Sequence, residues 1–225
     1  MKAPSTMPTM YVGSQTFELE RVDYAAPEAS GSLGGVQAGF PRWIANYFFS
    51  RMPIVNSDEW RAWFTSQRGA TRRFIAGDIA RSLPRQYMET GALPGGHSGA
   101  CSAWSETINA DGDSELTLEG LPAGLILSQG DYIDFRYTAT EDAIAGLPWR
   151  ALVRVVEGGT ADGSGDVTVV VEPPVPSVVP SEAVAHIKDT GCIMALVLDQ
   201  TSLEPVDRLY AVLGGTISAA QDIRA

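Results

Sequence analysis

The chain has only two cysteines, Cys101 and Cys192, and two histidines, His97 and His186, in 225 residues. The cysteines lie far apart, and neither has a second Cys or His at metal-ligand spacing. A zinc site and a disulfide framework are therefore both unsupported, and the cysteines read as separate buried thiols. No run of about eighteen or more apolar residues is present to span a bilayer, and Met1-Lys2-Ala3-Pro4-Ser5 lacks the apolar core of a signal peptide. The expectation is a protein made and kept soluble in a cytoplasm, without membrane insertion. Charge is scarce as well: Asp, Glu, Lys and Arg make up 19%, below the roughly one quarter of an ordinary soluble domain. Some uncharged surface is then left for protein contacts. Basic residues number 16 against 27 acidic ones, for a net charge of −11, which repels phosphate backbones and anionic membranes and disfavours nucleic-acid binding. Arg68, Arg72, Arg73, Arg81 and Arg85 do cluster in sequence, and they read as a solvated or interface-facing strip. Internal repeats, low-complexity tracts and a phosphate-cradling Gly-x-x-x-x-Gly-Lys are all missing, so no nucleotide or other cofactor is expected.

What is present points to β structure. Apolar residues make up 44%, and the length suffices for one large all-β domain or two small ones with real cores. Over Tyr11 to Val22, Phe17 and Leu19 alternate with Glu18 and Glu20, the period of a half-buried strand. A loop is expected through Ala25, Pro27 and the glycines at 31, 34, 35 and 39. Phe40 to Arg51 follows, with Trp43, Ala45, Tyr47 and Phe49 on one face and Ile44 and Phe48 on the other, which predicts a strand covered on both sides. One helix is predicted over Ser57 to Arg68, with Asn56 as N-cap, Glu59 completing a capping box, Asp58 and Glu59 favouring the N-terminal dipole, and Gly69 as C-cap. Trp60, Trp63 and Phe64 share one stripe of it, the spacing of core residues.

A short strand over Thr71 to Ala76 ends at Gly77-Asp78. The Pro- and Gly-rich stretch from Leu83 to Ser105 then reads as a boundary or excursion. A second β-rich block runs from about Ile108 to Val179, with alternating Ile133, Phe135 and Tyr137. Its last strands, Trp149 to Val156 and Val167 to Val171, are joined by the loop Gly158 to Gly165, and Pro173, Pro174 and Pro176 end the block. Strand-like text resumes at Cys192 to Leu198, Leu209 to Leu213 and Thr216 to Ile223. The simplest architecture is mainly β: a β-sandwich from residues 1–82 and 184–225 carrying one short α-helix, with residues 83–183 inserted as a small β-barrel or sandwich module. Two sequential domains fit the same text.

Candidate chemistry is thin. Gly96-His97-Ser98-Gly99-Ala100 approaches the nucleophile elbow of hydrolases, with Ser98 as nucleophile and His97 as base. No apolar strand precedes it, no helix follows, and Ala100 stands where the motif has glycine. Nothing in the sequence brings His97 or His186 to a serine and a carboxylate. Asp111/Asp113 and Glu141/Asp142 sit in loop text, where they solvate turns. Asp162-Gly163-Ser164-Gly165-Asp166 offers oxygens but not the ligand spacing of a calcium loop, and a β-turn needs the same residues. No catalytic, cofactor-binding or metal residue is therefore assigned, and no enzyme is expected. Trp104 and Trp149 are the candidates for aromatic edges of a glycan-binding β module, although core packing is the better reading of each.

Taken in order, several stretches resemble one family. Gly39-Phe40-Pro41-Arg42-Trp43, Glu59-Trp60-Arg61-Ala62-Trp63-Phe64, Gln67-Arg68-Gly69 and Phe74 with Gly77-Asp78 are similar to the opening of distal tail or minor tail proteins of long-tailed (siphovirus-type) bacteriophages and related gene transfer agents. Gly130-Asp131-Tyr132, Asp162-Gly163-Ser164-Gly165 and Glu172-Pro173-Pro174 match the pattern of that family's middle β module. The segments Leu83 to Gly99 and Ala219 to Ala225 depart from it. The resemblance implies a structural virion protein at the tail tip. Proteins of that kind form a homo-oligomeric ring, usually a hexamer, between the tail tube protein and the hub or other tail-tip and baseplate proteins. It carries over no functional side chain, because the family pattern is architectural. A head-to-tail ring requires two different patches on each subunit.

Overall fold

Hydrogen-bonded pairing groups distant stretches of this chain into two compact units. The computed structural model describes residues 2–27, 31, 33–140, 145–204, 211–212 and 214–223. The fold is mainly β and of sandwich type, with Ile54–Ser66 the one α-helix among the described residues and no sheet closed into a barrel. The smaller unit combines Met10–Ala70 with Ala195–Asp222, and the larger combines Thr71–Met194 with the N-terminal segment through Thr9. The division falls at 70/71 and 194/195 rather than at 82/83 and 183/184. Backbone pairing accounts for this, because Phe74–Ala76 pairs antiparallel with Cys192, Ile193 and Met194, and Ser5–Thr6 runs parallel to Phe74 and Ile75. The Pro- and Gly-rich stretch is an excursion within the larger unit. It is folded into two 3-10 turns, Arg85–Tyr87 and Pro94–Gly96, and held by the buried Leu83 and Leu93.

In the smaller unit, Arg42–Phe49 lies between Val12–Glu20 and Gly215–Gln221, antiparallel to both. Trp43, Ala45, Tyr47 and Phe49 all point into the core, and Phe17 stacks on Trp43 with ring centroids 5.1 Å apart. The opposite face is not covered as the sequence suggests, for Phe48 is 39% exposed. A polar ladder crosses this face instead. Asn46 donates from Nδ2 to Thr16 Oγ1 at 3.0 Å, and Ser218 Oγ donates to Asn46 Oδ1 at 2.6 Å. Such a ladder joins three strands without needing a second apolar layer.

The helix spans Ile54–Ser66, beginning and ending earlier than predicted. Pro53 occupies the N-cap position in extended conformation, with no side-chain cap, so Asn56 lies inside the helix and the capping box does not form. Met52–Pro53 is held by pairing with Ala211–Val212, and the fixed proline φ then starts the helix at once. Gln67 is the C-cap, and Arg68 and Gly69 follow in left-handed conformation, φ 52° and 67°. Trp60 is fully buried, 4.3 Å from the Phe49 ring and edge-on to it, and its indole N–H donates to the Met10 carbonyl oxygen at 3.0 Å. Trp63 packs edge-on against Trp60, but both Trp63 and Phe64 are only half-buried. Of the predicted aromatic stripe, Trp60 alone is core. The predicted strand Leu209 to Leu213 lies outside the described residues except for Ala211–Val212.

The larger unit is built on a six-stranded antiparallel sheet in the order Val184–His186, Tyr132–Thr138, Pro148–Glu157, Val167–Glu172, Ser114–Glu119, Ala103–Ile108. Alternation sets its buried face, with Leu116, Leu118, Ile133, Phe135, Val153 and Val155 in one continuous core cluster. The expected loop between the strands ending at Glu157 and starting at Val167 closes through Asp162, whose Oδ1 accepts the backbone N–H of Ser164 at 2.8 Å and of Asp166 at 3.1 Å. Gly165 then takes φ 90°, and a Cβ there would run into the Leu121 carbonyl oxygen.

Gly165→Ala is therefore expected to lower stability by about 1–3 kcal/mol, since both the conformation and the space exclude a side chain. Gly163→Ala, with open space around it, should stay within about 0.5 kcal/mol. In the helix, Trp60→Ala should cost about 3–5 kcal/mol. Chemical denaturation of the three variants beside the parent checks all of these.

Candidate functional site

All the residues singled out for chemistry except Glu141 and Asp142 lie among the described residues. His97 and Ser98 lie in the turn after Pro94–Gly96, where His97 Nδ1 accepts the Gly99 N–H at 3.1 Å and the exposed Ser98 Oγ accepts the Ala100 N–H at 3.3 Å. Both side chains thus fold back onto backbone two residues on, the local habit of turn residues. Gly99, at φ 90°, packs against Lys188, and neither strand nor helix flanks the motif as a nucleophile elbow needs. His186 sits in the strand Val184–His186, opposite Asp134. Burial, with Arg136 and Arg150 nearby, lowers it to about 4, so it stays neutral at physiological pH and is a weak base.

Trp149 is 1% exposed and belongs to the core. Trp104 stands edge-on to Phe135 at 4.7 Å and donates its indole N–H to the Ala183 carbonyl oxygen at 2.7 Å. Trp149 is thus a core residue, and Trp104 is partly buried against the same core. Asp162 and Asp166 shape a turn, and Asn109 Oδ1 does the same in the Asp111/Asp113 loop by accepting both of their N–H groups. Glu141 and Asp142 lie outside the described residues. Among the described residues no group of three or more His, Cys, Asp or Glu is placed to hold a metal, and no helix is long and apolar enough to cross a membrane. Cys101 and Cys192 are buried free thiols. Burial pushes Cys101 up to about 12, and Cys192 is raised by burial and by the nearby Asp134 charge. The arginine cluster is divided, with Arg68 in the smaller unit and the others in the larger. Arg81 in particular is committed locally, donating to the Gly130 carbonyl oxygen and approaching Asp78.

Two features escape the sequence reading. The first is a buried ion cluster in the larger unit. Arg136 and Arg150 are direct cross-strand neighbours, a like-charge pair that would repel. Asp134, two residues from Arg136 on the same face and fully buried, lies between them. Its Oδ1 accepts Arg136 Nε at 3.2 Å, while Oδ2 accepts Arg150 Nη1 at 3.1 Å and the Gly191 N–H at 3.3 Å. The arginines reach onward to the turn that precedes Cys192. Arg136 Nη2 donates to the Lys188 carbonyl oxygen at 3.0 Å, and Arg150 Nη1 to that of Asp189 at 3.3 Å. Asp189 is held there at φ 50°. Burial raises the Asp134 carboxyl to about 6 against the opposing pull of both arginines. The sequence signal was available in the Asp-x-Arg spacing at 134–136 with a third polar position at Arg150.

The second is an exposed ribbon in the smaller unit. Asp23–Pro27 pairs antiparallel with Leu33–Gln37, where the sequence suggests a loop. Alanines and glycines fill two of the five register pairs (Ala25↔Gly35, Ala26↔Gly34), so no apolar alternation marks it. Tyr24 and Val36 are direct partners, exposed 68% and 67%. All five residues of Asp23–Pro27 are exposed, and nine of the thirteen exposed large apolar side chains among the described residues fall in the smaller unit. A lone two-stranded ribbon is marginal in water without a covering element. An apolar cross-strand pair left on such a ribbon is surface suited to a protein partner.

A scan against protein-family models and a search of curated proteins found no match to this sequence. The arrangement of charges yields a test of its own. A carboxyl whose folded pKa lies above its unfolded value, about 3.9, contributes stability that is present at low pH and lost as pH rises through the folded value, here about 6. The stability of the parent protein relative to Asp134→Asn should therefore fall between about pH 4 and pH 6, the window between the unfolded and folded pKa values. Thermal unfolding of both across that range measures the difference. Parallel profiles would mean that the two arginines keep Asp134 ionised throughout.

Proposed function

We propose that the protein is a structural subunit of the tail tip of a long-tailed bacteriophage, a distal tail or minor tail protein. Copies of it close into a ring, six-fold as in the family it resembles, that joins the tail tube to the hub and receptor-binding proteins. Its place is the virion, after synthesis in the host bacterial cytoplasm. The observation that carries the assembly role is the exposed Tyr24–Val36 ribbon, an apolar projection that gains its missing cover when another subunit packs on it. The phage setting rests on the ordered motifs from Gly39-Phe40-Pro41 to Glu172-Pro173-Pro174.

A head-to-tail ring needs a second, different patch on each copy. The strand Val12–Glu20, last in its sheet order, is an edge of the kind that pairs with another chain. The low charge content fits a surface partly reserved for such contacts.

Native mass spectrometry and electron microscopy of the full chain should give closed rings of copies of the 24.0 kDa protein. Replacing Tyr24 and Val36 together by serine should return the rings to monomers with little change in thermal midpoint, because both side chains are exposed in the single chain. A chain that stays monomeric at every concentration, and is missing from purified particles, would sink the reading.

A further inference from the structure

In the larger unit a cleft of about 410 Å³ opens beside the parallel pair formed by Ser5–Thr6 with Phe74 and Ile75. That volume falls within the usual range of small-molecule sites, about 300–1,000 Å³. Its walls differ in chemistry: Met7, Ile75 and Ile79 make an apolar side, and Arg150 brings a guanidinium to the lining. The Arg150 side chain is 22% exposed. Among the described residues its hydrogen bonds come from Nη1 alone, to Asp134 Oδ2 and the Asp189 carbonyl oxygen. A guanidinium carries five N–H donors in a fixed fork, so those on Nε and Nη2 are left for another acceptor. The same two bonds hold the group in place before any ligand arrives, which lowers the ordering cost of binding.

The other charged groups on the lining are Asp78, Asp189 and Arg81. Asp78 Oδ2 lies 3.7 Å from Arg81 Nε, and its Oδ1 accepts the Ala80 N–H, so this pair is already matched. The two carboxylates set an upper limit on negative charge, because a multiply charged anion would meet repulsion from both.

We propose that this cleft is a binding site for a small monocarboxylate with a short branched apolar body, its carboxylate on Arg150 and its hydrocarbon against Met7, Ile75 and Ile79. This site and the ring assembly stand independently of each other.

The test is a titration of the full chain with 4-methylpentanoate, followed by the backbone amide resonances of Ile75 to Arg81. Saturable shifts are expected. The uncharged 4-methylpentanamide and inorganic phosphate should each bind about tenfold or more weakly, the effect of losing a charge-assisted hydrogen bond or adding repulsion. Thr6→Trp, at an exposed position on the lining, should fill the cleft and abolish the shifts while the thermal midpoint holds. Arg150→Gln should also abolish them, and if that variant fails to fold because Asp134 loses its partner, Thr6→Trp decides. No saturable shifts with the acid, amide binding as tight as that of the acid, phosphate binding tighter than the acid, or binding retained by a folded Thr6→Trp would each overturn the proposal.

Discussion

A single carboxylate, Asp134, fixes the arrangement of charge within the larger unit. Without it, Arg136 and Arg150 would face each other across adjacent strands as an unscreened like-charge pair. With it, the three groups interlock, and Arg136 Nη2 and Arg150 Nη1 also donate to the turn at Lys188 and Asp189, which leads into Cys192. A buried ionic group is often no more stabilising than a well-packed apolar one. Its effect here is geometric: it ties two adjacent strands of the sheet, Tyr132–Thr138 and Pro148–Glu157, to the turn at Lys188 and Asp189.

That geometric role explains a division of labour across the sheet. One face, carrying Ile133 and Phe135 against Leu116, Leu118, Val153 and Val155, supplies cohesion through apolar burial that any residues of similar volume could provide. The other face supplies a specific register through hydrogen bonds that tolerate no shift, because a slip of one residue would carry Asp134 into the apolar core. The smaller unit repeats the scheme in uncharged form, with Trp43, Tyr47 and Phe49 on the cohesive face and the Thr16, Asn46 and Ser218 ladder on the other.

Strands with strict alternation were legible from sequence, since Phe17 with Leu19 and Ile133 with Phe135 state their faces at period two. The helix was legible in kind but not in extent. Asn56 and Glu59 have the residue types of a capping box, yet the start of the helix is set by the Met52–Pro53 pairing, a tertiary constraint that local pattern does not contain. The ribbon at Asp23–Pro27 was missed because alanine and glycine carry no polarity signal, and backbone pairing alone makes it a strand. Core packing was already the better reading of Trp104 and Trp149 from sequence; Trp149 is buried, and Trp104 is part-buried with its indole N–H on the Ala183 carbonyl oxygen. The ion cluster lay in plain text, but a carboxylate inside a strand is ordinarily taken as solvent-facing, and burial of all of Asp134 depends on partners from a neighbouring strand and a distant turn.

Sulfur chemistry offers a last consequence. Both thiols are enclosed, and burial keeps them protonated, so neither presents the thiolate that oxidants and electrophiles attack. Copies of this chain brought together at high density therefore have no ready route to covalent cross-links through cysteine. Among the described residues the exposed thioethers are those of Met10 and Met88, where oxidation adds a polar oxygen that reductases can remove. In an oxidising environment the chain ages by reversible change at surface methionines such as Met10 and Met88, while the thiols in its core stay untouched.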